Sequence, residues 1–400
     1  MMKNRPPWIL PTIIFSQFAG TSLWFAGNAV LEDLQRQWPI GANSLGFMTS
    51  AVQLGFIAGT LCFAFFTVSD RFSPRLVFFL CSLFGAISNL LIGLVAEGLV
   101  SLLVFRFLTG FFLAGIYPVG MKIAAGWYQR GLGAALGFLV GALVLGTAFP
   151  HLLKGTSQDI PWQDVIFSVS ALALLAGTAM MVFVPDGPYS LKGAKFNSRA
   201  LIVIFESKAV RSAAFGYFGH MWELYAFLAF VPVALTNYIK TNPEVGLNIP
   251  FWSFCVIASG CLGCAGGGII SKKTGSAVVA FFQLAASGIC CLFSPLFIHV
   301  PAEMFIGIIV FWGIVVSGDS PQFSTLVART APQDLVGSAL TIVNCIGFSI
   351  TIVSIQLLNS LSTFIDHRYL FLFLAIGPLV GLSFMKPLIR SEKKLHSLRS

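Results

Sequence analysis

The sequence predicts an all-α membrane protein with twelve transmembrane helices, arranged as two pseudo-symmetric six-helix bundles. Its composition, its apolar runs and an internal repeat lead to this fold class. Of its 400 residues 56% are hydrophobic and only 10% are charged, and the mean hydropathy is +0.87. Soluble domains carry about 25% charged residues, so this chain lacks the polar residues to cover a globular surface. The composition also excludes a collagen, a coiled coil, a disordered chain and a secreted disulfide scaffold.

Twelve apolar runs are long enough to cross a bilayer, whose core needs about 20 apolar residues per helix. They lie near residues 8–31, 45–67, 75–96, 99–121, 132–153, 164–184, 212–238, 248–270, 276–298, 302–325, 335–358 and 367–387. The first run contains Pro11, is too long for a cleaved signal sequence, and is followed by no small-residue cleavage site. We therefore expect it to be retained as span 1.

The distribution of Lys and Arg predicts the orientation. Of the 24 basic residues, 19 fall in segments on the side of the two termini, four fall on the opposite side, and Arg106 lies within a span. Cytoplasmic segments carry the excess of Lys and Arg, so we expect both termini in the cytoplasm and the chain in the cell inner membrane. The net charge of +9 is explained by this orientation, and no nucleic-acid partner is expected.

The longest non-apolar segment lies between the sixth and seventh runs. It covers residues 185–211 and contains two prolines and five basic residues. We interpret it as a cytoplasmic linker with a short surface helix at 199–210, between an N-terminal bundle at 1–184 and a C-terminal bundle with a short tail at 212–400.

The eight cysteines all lie inside apolar runs. Cys261 and Cys264 have the spacing of a metal-binding pair, but the sequence has no second pair and no His near them. We therefore interpret the cysteines as small packing residues and expect neither a metal nor a cofactor.

Two short segments recur at nearly the same distance in the two halves. The loop after span 2, at 69–75, corresponds to 268–275 after span 8, with Ser69 and Ser271 separated by 202 positions. Gly-Ala-Ala-Leu at 133–136 corresponds to Gly-Ser-Ala-Leu at 337–340, an offset of 204. A common offset predicts a duplicated six-helix unit.

With these features the whole chain resembles the major facilitator superfamily. In the loop between spans 2 and 3, Asp70, Arg71 and Arg75 match the family pattern G-x-x-x-D-[RK]-x-G-x-[RK], whereas Phe66 and Ser73 replace its glycines. The resemblance implies that these three residues form a conformational latch of the outward-open state, with Asp70 capping a neighbouring helix. The alternative is a positively charged cytoplasmic loop without a latch.

Arg106 and Gly110 match the family element R-x-x-x-G in span 4. An arginine in hydrocarbon must face a cavity or a partner, and the resemblance implies a role in proton coupling. Alternatively, Arg106 binds backbone carbonyls of neighbouring helices. Span 5 lacks the adjacent Gly-Pro pair of the family's antiporters, which favours uptake over drug efflux.

Besides Arg106, the sequence places three ionisable residues at mid-bilayer depth: His220 and Glu223 in span 7, and Asp319 in span 10. Buried carboxyl and imidazole groups can bind and release protons, so we expect these residues to carry proton coupling. His220 and Glu223 are three positions apart on one helix face, so we expect His220 to act on Glu223. The alternatives are a structural His–Glu pair and, for Asp319, a cap on a helix break next to Gly318 and Pro321.

Other polar and aromatic residues are expected to line a substrate cavity, the alternative being hydrogen bonding between helices. These are Trp24, Asn28, Gln53, Tyr117, Trp222, Tyr225 and Asn344. The strings at 24–28 and 220–223 resemble those of bacterial transporters grouped with nitrate/nitrite porters. Those porters have arginines in spans 2 and 8, which this sequence lacks, so nitrate is not the expected solute.

The sequence therefore predicts a secondary transporter that works by alternating access. No G-x-x-x-x-G-K-[ST] loop for ATP is present, so a gradient must drive transport, and we expect proton-coupled uptake by a monomer. Arg106 and Lys122 favour a small anionic or zwitterionic organic solute. A proton-coupled drug or metabolite efflux pump is the main alternative. An intramembrane enzyme is a remote one, because no nucleophile or metal cluster accompanies the His–Glu pair.

Overall fold

The computed structural model describes residues 6–41, 43–128, 132–156, 160–189 and 196–397, and it contains only helices and connections within them. Eleven helices are long and apolar enough to cross a membrane, and a shorter apolar helix at Ile9–Thr21 precedes them. The predicted twelve-helix fold is thus confirmed. Spans 1 to 12 are Ile9–Thr21, Ser44–Phe65, Pro74–Leu94, Leu99–Trp127, Leu132–Thr156, Trp162–Phe183, Lys208–Thr241, Ile249–Thr274, Ser276–His299, Ala302–Thr330, Val336–Leu361 and His367–Arg390.

Three of the spans are broken near the middle of the membrane. Span 1 ends at Thr21 and continues after a turn as Ala26–Ala29 and Leu31–Gln37. Span 4 is interrupted between Leu99–Leu113 and Tyr117–Trp127, and span 10 between Ala302–Gly318 and Ser320–Thr330. In spans 4 and 10 a proline occupies the first turn of the second segment, where its missing N–H and rigid ring prevent an unbroken helix.

Close glycine contacts repeat in the two halves of the chain. Gly110 of span 4 lies against the Val52 carbonyl of span 2, and Gly313 of span 10 lies against the Val256 carbonyl of span 8. A Cβ atom at either glycine would overlap that backbone, so each pair depends on the absence of a side chain. The same packing at equivalent places agrees with the pseudo-symmetry that the sequence repeat predicts.

The first six spans pack against the last six mainly through spans 5 and 8 and through spans 2 and 11. Twelve crossings bring the beginning of span 1 and the end of span 12 to the same end of the bundle, here called the terminal end; the opposite end is the distal end. In the segment between the halves, the short helix is Arg199–Glu206 and stops before the predicted residue 210, because span 7 already begins at Lys208. Residues 190–195 of the predicted linker lie outside the described residues.

Candidate functional site

A cavity of about 490 Å³ lies between the two halves of the bundle. Its lining residues come from spans 4, 5, 7, 10 and 11, and most are aromatic or aliphatic. They are Tyr117, Val140, Leu143, Val144, Thr147, Tyr217, Met221, Leu224, Tyr225, Leu228, Ser317, Ser320 and Phe348. Tyr217 is nine residues into span 7, so at 1.5 Å per residue this part of the cavity lies about 14 Å from the terminal end of that helix.

An aromatic cluster closes the cavity towards the distal end. Trp24, in the turn that breaks span 1, stacks on Tyr225 at 5.5 Å and on Phe348 at 5.6 Å between ring centroids. Phe56 of span 2 packs against Phe348 at 4.5 Å. The cluster joins spans 1 and 2 to spans 7 and 11, and so connects the two halves in mid-membrane.

The distal ends of spans 2 and 11 are held together beyond this cluster. The Gly46 N–H donates to Asn359 Oδ1 at 3.3 Å, and Gln356 Nε2 donates to Ser50 Oγ at 2.8 Å. Asn359 Nδ2 also donates to the Asn43 carbonyl at 3.3 Å. These contacts and the aromatic cluster separate the cavity from the distal end.

His220 and Asp319 form a buried pair beside the cavity. His220 Nδ1 lies 2.8 Å from Asp319 Oδ1, and the two side chains are 1% and 0% exposed. The two atoms are in close contact without the geometry of a well-directed hydrogen bond, and the other oxygen and nitrogen of the pair have no partner among the described residues. Because Ser317 and Ser320 line the cavity on either side of Asp319, the pair lies directly behind its wall.

Glu223 is also buried but has different partners. Its carboxyl group accepts hydrogen bonds from Trp312 Nε1 and Ser287 Oγ, both at 2.8 Å, and from Cys291 Sγ at 3.3 Å. The expectation that His220 acts on Glu223 is therefore corrected. The His220 imidazole contacts Asp319 of span 10, whereas Glu223 accepts its hydrogen bonds from neutral side chains of spans 9 and 10.

Arg106 adopts the second of the two arrangements considered for it. Its guanidinium group is fully buried and donates to the backbone carbonyls of Leu23, at 2.9 Å, and Trp24. These carbonyls are released by the break in span 1, so Arg106 supplies the hydrogen bonds that an unbroken helix would have made. It is not among the residues lining the cavity.

The proposed latch residues lie at the terminal end. Asp70 is in the short helix Val68–Arg71, but its side chain lies outside the described part of the structure. Arg71 is exposed, and Arg75 Nε lies 3.9 Å from Asp186, which also accepts a hydrogen bond from Ser73 at 2.8 Å. Lys122, another basic residue at this end, donates to the Ser69 carbonyl at 2.6 Å. These contacts tie the loop after span 2 to span 4 and to the segment after span 6.

The remaining predicted cavity residues are divided between the cavity and helix contacts. Tyr117 and Tyr225 line the cavity, and Asn344 accepts a hydrogen bond from the lining Tyr217 at 2.8 Å. Asn28 instead donates to Thr49 at 2.8 Å, and Trp222 donates to the Phe373 carbonyl at 3.0 Å and so points to span 12. Gln53 is fully buried and is not a lining residue.

Sequence reasoning missed several residues of the site. Ser317 and Ser320 flank Asp319, so their position beside an intramembrane acid was an available signal. The cysteine interpretation holds for Cys264, whose thiol donates to the Ser317 carbonyl at 3.3 Å and contributes to packing. Trp312, Ser287 and Cys291 carry no sequence pattern that links them to Glu223.

Spanning helices packed around a cavity between two halves are the architecture of a membrane transporter. The family model for the Major Facilitator Superfamily matches residues 9–355. The chain belongs to this superfamily and is a multi-pass membrane protein.

Two curated relatives are transporters from Escherichia coli. An uncharacterized transporter, YgaY, from strain O157:H7 is 24% identical over 238 residues, covering 56% of this chain and 59% of the relative. The protein of the same name in strain K12 matches with the same identity and coverage. The chain thus spans 59% of the length of these relatives. The family and the relatives support membrane transport of a small molecule in general.

Proposed function

We propose that the protein is a secondary active transporter that moves a small solute by alternating access. The cavity between the halves, separated from the distal end by the aromatic cluster and the span 2–span 11 contacts, carries this proposal. Opening those contacts while the terminal end closes would expose the same cavity to the other side. The bias of Lys and Arg supports a cytoplasmic terminal end in the inner membrane, so the closed distal end is proposed to face the outside.

The transport is proposed to be coupled to protons through His220, Asp319 and Glu223. A buried imidazole–carboxyl pair must change the interaction between its two groups when a proton binds or leaves, and this pair lies behind a wall formed by Ser317 and Ser320. Protonation can therefore alter the shape of the cavity wall at the break in span 10. Glu223 is a second carboxyl group on the same span as His220, with three neutral donors. Arg106 supports the broken span 1 rather than the exchange of protons.

Uptake remains the favoured direction and efflux of a drug or metabolite remains the alternative. The absence of an adjacent Gly-Pro pair in span 5 is the observation that favours uptake. The proposed anionic or zwitterionic solute has less support, since it depended on Arg106 and Lys122 in one half together with the acids in the other. Both cations bind backbone carbonyls away from the cavity.

Proton coupling is tested with purified protein in liposomes under an imposed pH gradient, using a solute found by thermal-shift screening. Asp319→Asn should abolish accumulation and retain downhill exchange, because exchange requires no net proton movement. Glu223→Gln should do the same if the two acids form one relay. The matched controls are Asp366→Asn and Glu303→Gln, which make the same chemical changes at exposed distal positions.

Normal accumulation by the doubly neutralised variant would contradict proton coupling at these residues and favour uniport or sodium coupling. Loss of exchange as well as accumulation in Asp319→Asn would assign Asp319 to solute binding. Accumulation in the opposite direction would favour the efflux alternative.

A further inference from the structure

The cavity is uncharged on every described surface. None of its lining residues is Asp, Glu, Lys, Arg or His. The nearby ionisable groups are directed at other protein groups: Arg106 binds two carbonyls, Asp319 lies against His220, and Glu223 accepts three hydrogen bonds. A charged solute would lose its hydration and find no opposite charge on these walls, which costs several kcal/mol.

Neutral hydrogen-bonding groups are nevertheless available in the cavity. Tyr117 and Tyr225 both line the cavity, and each side chain carries a neutral hydroxyl group. Ser317 Oγ has no hydrogen-bond partner among the described residues, but it is fully buried next to Gly260 of span 8, so the two tyrosine hydroxyls are the groups offered to a solute. These groups can donate to or accept from a solute without carrying a charge. They would orient a solute that has one or two polar atoms.

The cavity also presents aromatic rings. Tyr225 and Phe348 line the cavity with their centroids 5.2 Å apart, and Trp24 stacks behind both. Aromatic side chains favour offset-stacked or edge-to-face contacts with another ring. The rings of Tyr225 and Phe348 therefore offer a solute ring an aromatic face in this cavity.

We propose that the transported solute is an uncharged small molecule with an aromatic ring and a hydroxyl or similar neutral polar group. Its ring packs on Tyr225 and Phe348, and its polar group bonds to the hydroxyl group of Tyr117 or Tyr225. This inference rests on the proposed transport function and replaces the anionic or zwitterionic solute expected from the sequence.

The test compares three probes with the same ring and different charge: 2-phenylethanol, phenylacetate and 2-phenylethylamine. Binding is measured as the rise in melting temperature of purified protein, detected by a thiol-reactive dye, because the eight cysteines are free and at least partly buried. The neutral alcohol should raise the melting temperature, by about 2 °C at ten times its Kd. The two charged probes should bind at least tenfold more weakly.

Variants locate the binding. Phe348→Leu should remove most of the shift caused by 2-phenylethanol, and Tyr225→Phe should weaken binding about three- to tenfold through loss of one hydroxyl. The matched control is Phe311→Leu, which removes a ring from an exposed face of span 10. Each shift is read against the variant's own melting temperature, so a general loss of stability does not imitate loss of binding.

Stronger binding of phenylacetate or phenylethylamine would overturn the proposal, with the amine directing attention to Asp319. Equal shifts in Phe348→Leu and Phe311→Leu would show binding elsewhere and overturn it too. The proposed transport function is judged separately in liposomes. Specific binding of the alcohol with no flux of any solute would refute transport while leaving the chemistry of the site intact.

Discussion

Gly46 offers the most direct test of the closed distal end. Its N–H donates to Asn359 Oδ1, and a Cβ atom added at position 46 would lie 2.6 Å from Asn359 Cγ and 2.8 Å from Asn359 Cβ. These separations are too short for carbon atoms, and Asn359 Cβ is not a mobile group at the end of a long side chain. Gly46→Ala therefore forces Asn359 to move when spans 2 and 11 are together.

The size of the effect follows from the hydrogen bonds that Asn359 would lose. It accepts from Gly46 and donates to the Asn43 carbonyl, each bond at 3.3 Å, and each is worth about 0.5–1.5 kcal/mol. The neighbouring Gln356–Ser50 bond need not break. We expect the distal-closed arrangement to be destabilised by about 2 kcal/mol relative to the distal-open one, a shift of about 30-fold in their ratio.

The populations are measured by electron paramagnetic resonance distances between two spin labels at the distal end. Pro39→Cys and Thr363→Cys provide exposed attachment sites on the connections next to spans 2 and 11. Gly46→Ala should increase the population with a long label distance. The matched control is Gly41→Ala, because a Cβ there meets no atom within 4 Å.

The same distance distribution in Gly46→Ala and Gly41→Ala would refute the reasoning. It would mean that Asn359 moves without cost, or that the contact between spans 2 and 11 does not hold the distal end closed. A shift in both variants would instead indicate an effect on the connecting segment.

Three further predictions concern other parts of the bundle. Arg106→Lys should lower the free energy of unfolding by about 1–3 kcal/mol, because an ammonium group cannot reproduce the two hydrogen bonds that the planar guanidinium group donates to backbone carbonyls. The change is measured as a lower melting temperature, and an unchanged melting temperature would contradict this role of Arg106. Asp70→Asn should shift the resting population towards inward-open with near-normal expression, and unchanged label distances with full transport would reduce Asp70 to a loop residue. Glu392→Gln should lower the free energy of unfolding by about 1 kcal/mol, because this carboxylate accepts hydrogen bonds from the Ser276 and Ala277 N–H groups at the start of span 9. The change is measured by thermal unfolding, and Glu303→Gln is the control.

The sequence alone could predict the spans because a membrane helix is specified by a local property, a run of about 20 apolar residues. The internal offset and the loop pattern at Asp70 predicted the family in the same way, since both are read along the chain. The two prolines of spans 4 and 10 also act on their own helices. The break in span 1 has no such residue, and its stabilisation comes from Arg106, more than 80 positions away.

The sequence also identified the ionisable residues within the membrane, because a charge in an apolar run is visible without a structure. Only the tertiary structure decided their partners. Spacing along span 7 favoured His220 with Glu223, whereas packing directs the imidazole to Asp319, and Glu223 to Trp312 and Ser287. The tertiary structure also decided that the cavity lining is uncharged. Arg106 lies inside span 4, but its side chain is directed at backbone carbonyls and does not line the cavity. The position of an ionisable residue in an apolar run is visible in the local sequence. The groups that pair with that residue come from distant helices, so only packing determines them.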